Sequence, residues 1–255
     1  MLLKVKSLIA LSIIAVIATL VIDPVPQWPG YHQFADQRMY FGITSFFNVT
    51  SNLFYLALGA HCLYSLTRQQ RHFILPSRVI TAALFFGGLI LTGVGSSLYH
   101  LNTTNDTLLW DRLPMTISFM SFFAFVIMVC ISQKWGQRLL VPLLIAGVLS
   151  VVYWHYTERI GQGDLRFYAL VQFLPMVLIP IILLLFKGRF PQQRYLWWVV
   201  GIYAVAKTVE LYDAQIMNSL SISGHTLKHI ISAFTAYALL KAVMAPIDRS
   251  NSWNN

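Results

Sequence analysis

The chain has 255 residues, 57% hydrophobic and only 11% charged, where soluble domains carry roughly a quarter charged residues. That composition excludes a soluble globular protein and predicts an all-α, polytopic membrane helical bundle with no stretch left for a separate soluble domain. Lys and Arg number 18 against 9 Asp and Glu, a balance of +9 that in a membrane chain records topology and requires no nucleic acid.

Runs near 20 apolar residues predict eight segments at about 5–22, 43–66, 79–101, 107–132, 138–154, 167–186, 195–214 and 222–244. The first follows Lys4 and Lys6 as a signal peptide would, but Leu20-Val-Ile-Asp-Pro24 has no small-residue cleavage pattern. Residues 1–25 therefore read as an uncleaved transmembrane anchor, 26–247 as the membrane domain and 248–255 as a polar cytoplasmic tail. Cys62 and Cys130 lie inside apolar runs, which excludes a disulfide framework.

Placing the amino terminus in the cytoplasm puts Lys4, Lys6, Arg68, Arg71, Arg78, Lys134, Arg138, Lys187, Arg189, Arg194, Lys241 and Arg249 inside. Only Arg38, Arg159 and Arg166 then fall outside. This is a strong positive-inside bias, and it predicts two cytoplasmic termini.

Ionisable groups within membrane helices cost about 2.5–3.5 kcal/mol on insertion scales, so those present are expected to face the bundle interior. Ser96 and His100 end the third segment, Asp111 and Arg112 open the fourth, Lys207, Glu210 and Asp213 lie on the seventh, and His225, Lys228 and His229 open the last. The orientation above brings all of them to the outer end of the bundle. His225 and His229 are four residues apart and share a helical face, the geometry that chelates one metal ion. His100 would be a third ligand, leaving a fourth position for water as in catalytic zinc sites. Ser96, one turn before His100, could donate to that water or to an oxyanion. Other readings stand beside this one. Two histidines on facing helices could ligate haem iron; Asp111 and Arg112 could be an interfacial ion pair; Lys207, Glu210 and Asp213 could be a self-paired stripe. Ser45, Asn48 and Asn52 form a second polar stripe that could join helices or line a cavity. The Tyr31–Arg38 stretch, with Asp36, could cap the site or bind a cation. His32, His61, His72 and His155 have no partner at ligand spacing and receive no role.

Taken together, Ser96-x-x-x-His100, Asp111 eleven residues later and His225-x-x-x-His229 resemble the alkaline ceramidase family of the CREST membrane hydrolase superfamily. Asn48-x-x-Ser51-Asn52 and Asp213 also resemble that family. Trp110-Asp-Arg-Leu-Pro-Met115 and Ser223-Gly-His-Thr-Leu-Lys-His229 look most like its bacterial members. The resemblance spans about residues 31–244. It implies a seven-helix core to which the first segment is an addition, with zinc held by His100, His225 and His229. It further implies that Ser96 and Asp111 assist a water attacking the amide carbonyl of ceramide, a sphingolipid, or of another N-acyl membrane lipid. Asn48, Asn52, Asp36, Glu210 and Asp213 would support the site. Animal members carry a calcium site rich in carboxylates, completed by a glutamate that reads Ser45 here. Asp36 is the one plausible oxygen ligand left in the loop, so no calcium dependence is expected. The competing expectations are a zinc hydrolase of the same fold acting on an ester or phospholipid, and a non-enzymatic receptor or proton-relay transporter. Against the transporter, the sequence shows no inverted repeat. The expected location is a bacterial inner membrane with the site toward the periplasm.

Overall fold

In a computed structural model, residues 1–68 and 76–244 are described. Arg71, His72, Arg249 and the expected tail 248–255 lie outside the described residues. Helix α1 (Leu2–Val21) leaves most of its apolar side chains exposed. Only Leu8 on it is buried, it packs on α7 (Arg166–Leu185), and Lys4 Nζ donates to the Leu185 carbonyl at 2.7 Å. Such a surface is unfavourable in water and suited to lipid tails.

The expected segment 43–66 is broken into α2 (Phe46–Thr50) and α3 (Leu53–Arg68). Ser51 Oγ and Asn52 Nδ2 both donate to the Asn48 carbonyl, at 3.1 and 3.0 Å. They take the acceptor that a continuous helix would offer to the Asn52 amide. Helices α4 (Pro76–Leu101) and α5 (Asn105–Cys130) follow, joined by a short turn closed by a reciprocal cap. Thr104 Oγ1 accepts from the Thr107 amide at 3.2 Å, and Thr107 Oγ1 from the Thr104 amide at 3.0 Å. The chain continues through α6 (Gln133–Arg159), α7, α8 (Gln193–Leu211), α9 (Asp213–Leu220), α10 (Gly224–Ala233) and α11 (Thr235–Val243). The expected last segment is thus also two helices, bent at Phe234.

Among the described residues five helices are long and apolar enough to cross a membrane: α1, α4, α5, α6 and α7. The remaining passes are broken or, in α8, carry Arg194, Lys207 and Glu210. Helix α5 is central. It packs on α4, α6 and α7, and its Phe122 and Phe125 share a core with Phe85 and Phe86 of α4, Ile182 of α7 and Leu239 of α11. Helices α10 and α11 close the ring against α8, α3 and α4. The molecule is an all-α membrane helical bundle.

One end of the bundle gathers the finish of α4, α6 and α8 and the start of α5, α7 and α10. A strap, residues 22–45, crosses that end. It is pinned where the Leu165 amide donates to the Val25 carbonyl at 2.8 Å and the Gln27 amide to Glu158 Oε1 at 2.6 Å. Lys4, Arg68, Arg78, Lys134 and Lys187 sit at the other end.

Candidate active site

Helix α10 is capped by Ser223, whose Oγ accepts from the Thr226 amide at 2.9 Å. Its first residue must be glycine: a Cβ on Gly224 would lie 1.9 Å from the Val209 carbonyl oxygen, so α10 starts in backbone contact with α8. This delivers His225 and His229 to His100 at the end of α4. One ring nitrogen from each of the three lies within 4.8 Å of the others, and all three residues are buried. His100 Nε2 and His225 Nε2 are 3.1 Å apart. Ser51 Oγ, 2.8 Å from His229 Nδ1, turns the Nε2 of that ring to the cluster.

Ser96 and Asp111 are brought together by another glycine. A Cβ at Gly95 would fall 1.9 Å from the Trp110 carbonyl oxygen, so α4 and α5 touch backbone to backbone beside both residues. Both are buried, and this close approach sets Asp111 beside Ser96.

Arg112 does not form the considered ion pair with Asp111. Successive residues on a helix project about 100° apart, and its guanidinium turns into a cage of Trp154, Tyr168 and Tyr31 at 4.2, 4.7 and 5.1 Å. There Nη2 donates to Gln27 Oε1 at 2.8 Å, tying α5 to the strap. Contacts of this kind offset part of the cost of burying the cation.

The stripe on α8 is also only partly paired with itself. Glu210 accepts from Lys207 on its own helix and, at 2.8 Å, from Lys228 on α10. Asp213 leaves the stripe because α8 ends at Leu211. Its Oδ1 accepts from the His225 amide and its Oδ2 from the Ala35 amide, each at 2.9 Å, joining α9, α10 and the strap. Lys228 Nζ is 3.4 Å from His225 Nε2. The sequence carries one signal for Lys228, its position between His225 and His229.

The strap covers this cluster. The Phe34 ring lies 4.7 Å from that of His100 and 4.4 Å from that of His225. His32, which has no partner at ligand spacing in the sequence, is held between Tyr99 Oη at 2.9 Å and Asn105 Oδ1 at 3.0 Å. It lines a polar cavity of about 320 Å³ that reaches His100 between Phe34, Gln37, Thr44 and Ser45. Asp36 is fully buried and takes Arg38 Nε and Nη2 at 2.9 and 2.7 Å. Burial alone would raise its carboxyl pKa, but the hydrogen bonds from Arg38 outweigh it and hold the group below its ordinary value. Arg38 also donates to the Ser221 carbonyl at 2.9 Å. Asn48 Nδ2 donates to the Asp36 carbonyl at 3.3 Å while its Oδ1 accepts from Thr226 at 2.7 Å and Ser223 at 3.2 Å, so Asn48 links strap, α2 and α10. Asn52, likewise buried, supports Asn48 from the next turn. His155 pairs with Asp106 at 2.8 Å, and His61 is exposed; neither meets the cluster.

Fold and site together define a polytopic membrane protein with a buried cluster of three histidines at one end of its helices. A sequence model of the family described as Ceramidase matches residues 38–251, and the chain belongs to that family. Its members are amide hydrolases of membrane lipids. No curated protein matches the chain.

Proposed function

We propose that this protein is a zinc-dependent intramembrane lipid amidase that cleaves an N-acyl lipid such as ceramide to a fatty acid and a long-chain amine. The carrying observation is the triad His100, His225 and His229, with ring nitrogens within 4.8 Å of one another, one turn from Ser96 and the buried Asp111 packed beside it. The donor set fits a divalent metal. Two ligands at about 2.0 Å from a tetrahedral ion stand roughly 3.3 Å apart, close to the 3.1 Å between His100 Nε2 and His225 Nε2. Three imidazoles with a fourth position left to water are the donor set of catalytic zinc, and a polar cavity reaches His100.

A zinc ion held there supplies Lewis acidity and a water acidic enough to lose its proton near neutral pH. The chain's own residues do the rest. Asp111 accepts the water proton as the water oxygen bonds to the carbonyl carbon, and returns it to the amine nitrogen as the C–N bond breaks. Ser96 stands beside the carboxyl and orients it for both transfers. Phe34 and the strap keep bulk water away. Asp213 and Asn48 fix the start of α10, and therefore the two histidines on it. Both oxygens of Asp36 are taken by Arg38, so this carboxylate serves to hold Arg38; a calcium ion, which prefers six to eight oxygens, has no part in the reading.

The basic residues at the opposite end of the bundle support an inner-membrane orientation with both termini cytoplasmic, the site facing the periplasm and α1 serving as an anchor. Metal analysis of the purified protein with lipid amide turnover tests the reading. One zinc per chain is expected, with metal and turnover both lost in His225→Ala and His229→Ala; full turnover in metal-free protein would refute it.

A further inference from the structure

We propose that Lys228 is a further catalytic residue, the ammonium that stabilises the developing oxyanion of the substrate carbonyl. This rests on the amidase reading. Lys228 sits on α10 between His225 and His229, largely buried, with Nζ 2.8 Å from Glu210 Oε1 and 3.4 Å from His225 Nε2. A lysine that only neutralised Glu210 would be redundant, because Lys207 already pairs with that carboxylate from its own helix. Two ammonium groups share one carboxylate, and the more buried of the two is the one aimed at the histidines. Two ammonium groups on one carboxylate in a membrane interior are costly unless further negative charge stands or arrives beside them. In amide hydrolysis that charge appears on the carbonyl oxygen, where a fixed donor in a site of low dielectric acts most strongly.

The step transfers no proton from lysine. As the water oxygen bonds to the carbonyl carbon, the C=O electron pair moves to oxygen and is met by Lys228 Nζ–H; when the C–N bond breaks the pair returns to form the acid carbonyl. Glu210 holds the ammonium in place between turnovers.

The test uses full-length zinc-loaded protein in nanodiscs with N-palmitoylsphingosine as substrate. Lys228→Met is expected to lower kcat by about 100-fold or more, with KM within about threefold and zinc content unchanged. Lys228→Arg should recover at least about tenfold of the lost rate. A second readout needs no turnover: tryptophan fluorescence titrations with palmitate and with palmitamide. Wild type should bind palmitate, whose carboxylate carries the charge of the oxyanion, at least about tenfold more tightly than the amide, and Lys228→Met should lose that preference. Undiminished kcat, a persisting carboxylate preference, or zinc lost in proportion to activity would each overturn the assignment. If wild type cleaves no amide, the amidase reading fails, while the palmitate preference still decides whether Lys228 receives an anion.

Discussion

Asp111 and Asp36 are both buried carboxylates, and their neighbours give them different tasks. Asp111 is buried beside Ser96, one turn before His100, with its neighbouring guanidinium turned away into an aromatic cage. Asp111→Asn should retain zinc and fold normally but lose about 10²–10⁴-fold in kcat, the range for removal of a general base; metal analysis and turnover on the same preparation check this. Asp36 is structural, its charge committed to Arg38. With its folded pKa below the ordinary value of 3.8, the unfolded chain takes up the proton first as pH falls. The pair therefore contributes its full stability above about pH 5 and loses it progressively as pH drops through 4 toward the lower folded value. Thermal melts across pH 3 to 7 should show this decline, and Asp36→Asn should flatten its contribution.

At the scale of elements, the site depends on three contacts: α4 on α5 at Gly95, α10 on α8 at Gly224, and the strap on all of them. Gly95→Ala would press a methyl against the Trp110 carbonyl, at a cost of about 1–3 kcal/mol typical of overpacking. It would also displace Ser96 from Asp111. A lower Tm together with at least about tenfold lower turnover is expected. Gly87→Ala on the same helix, where a Cβ would meet nothing within 4 Å, should change neither. The strap is held mainly by polar contacts, from Arg38 to Ser221, from Ala35 to Asp213 and from Arg112 to Gln27. Arg38→Met should speed hydrogen exchange across residues 30–40 and expose the cluster under Phe34, while α5 exchanges as slowly as before.

Across the whole molecule, the separation of charge by end makes the orientation testable. Reporter fusions should be active in the cytoplasm at both termini and in the periplasm after residues 103 or 162. The reverse pattern would put the site on the cytoplasmic face. The same separation explains why so much was legible in the sequence. Helix α1 and the other apolar passes read directly from composition, because a bilayer imposes one requirement, apolar length, on every spanning segment. Where residues compete locally for backbone acceptors the reading was less accurate, as at Ser51 and Asn52, which split a segment expected to be continuous.

The sequence by itself determined the all-α membrane bundle, its polarity of charge and the three histidines that the fold brings together, because hydropathy, the positive-inside bias and histidine spacing are properties of the chain that survive without coordinates. Only the tertiary structure decided who partners whom. Asp111 and Arg112 are neighbours that diverge, Asp213 bonds α10 and the strap instead of its own helix, and Lys228 turns to Glu210 and His225. Those outcomes depend on helix phase and on two backbone contacts made possible by glycine, and neither can be read from spacing along one segment.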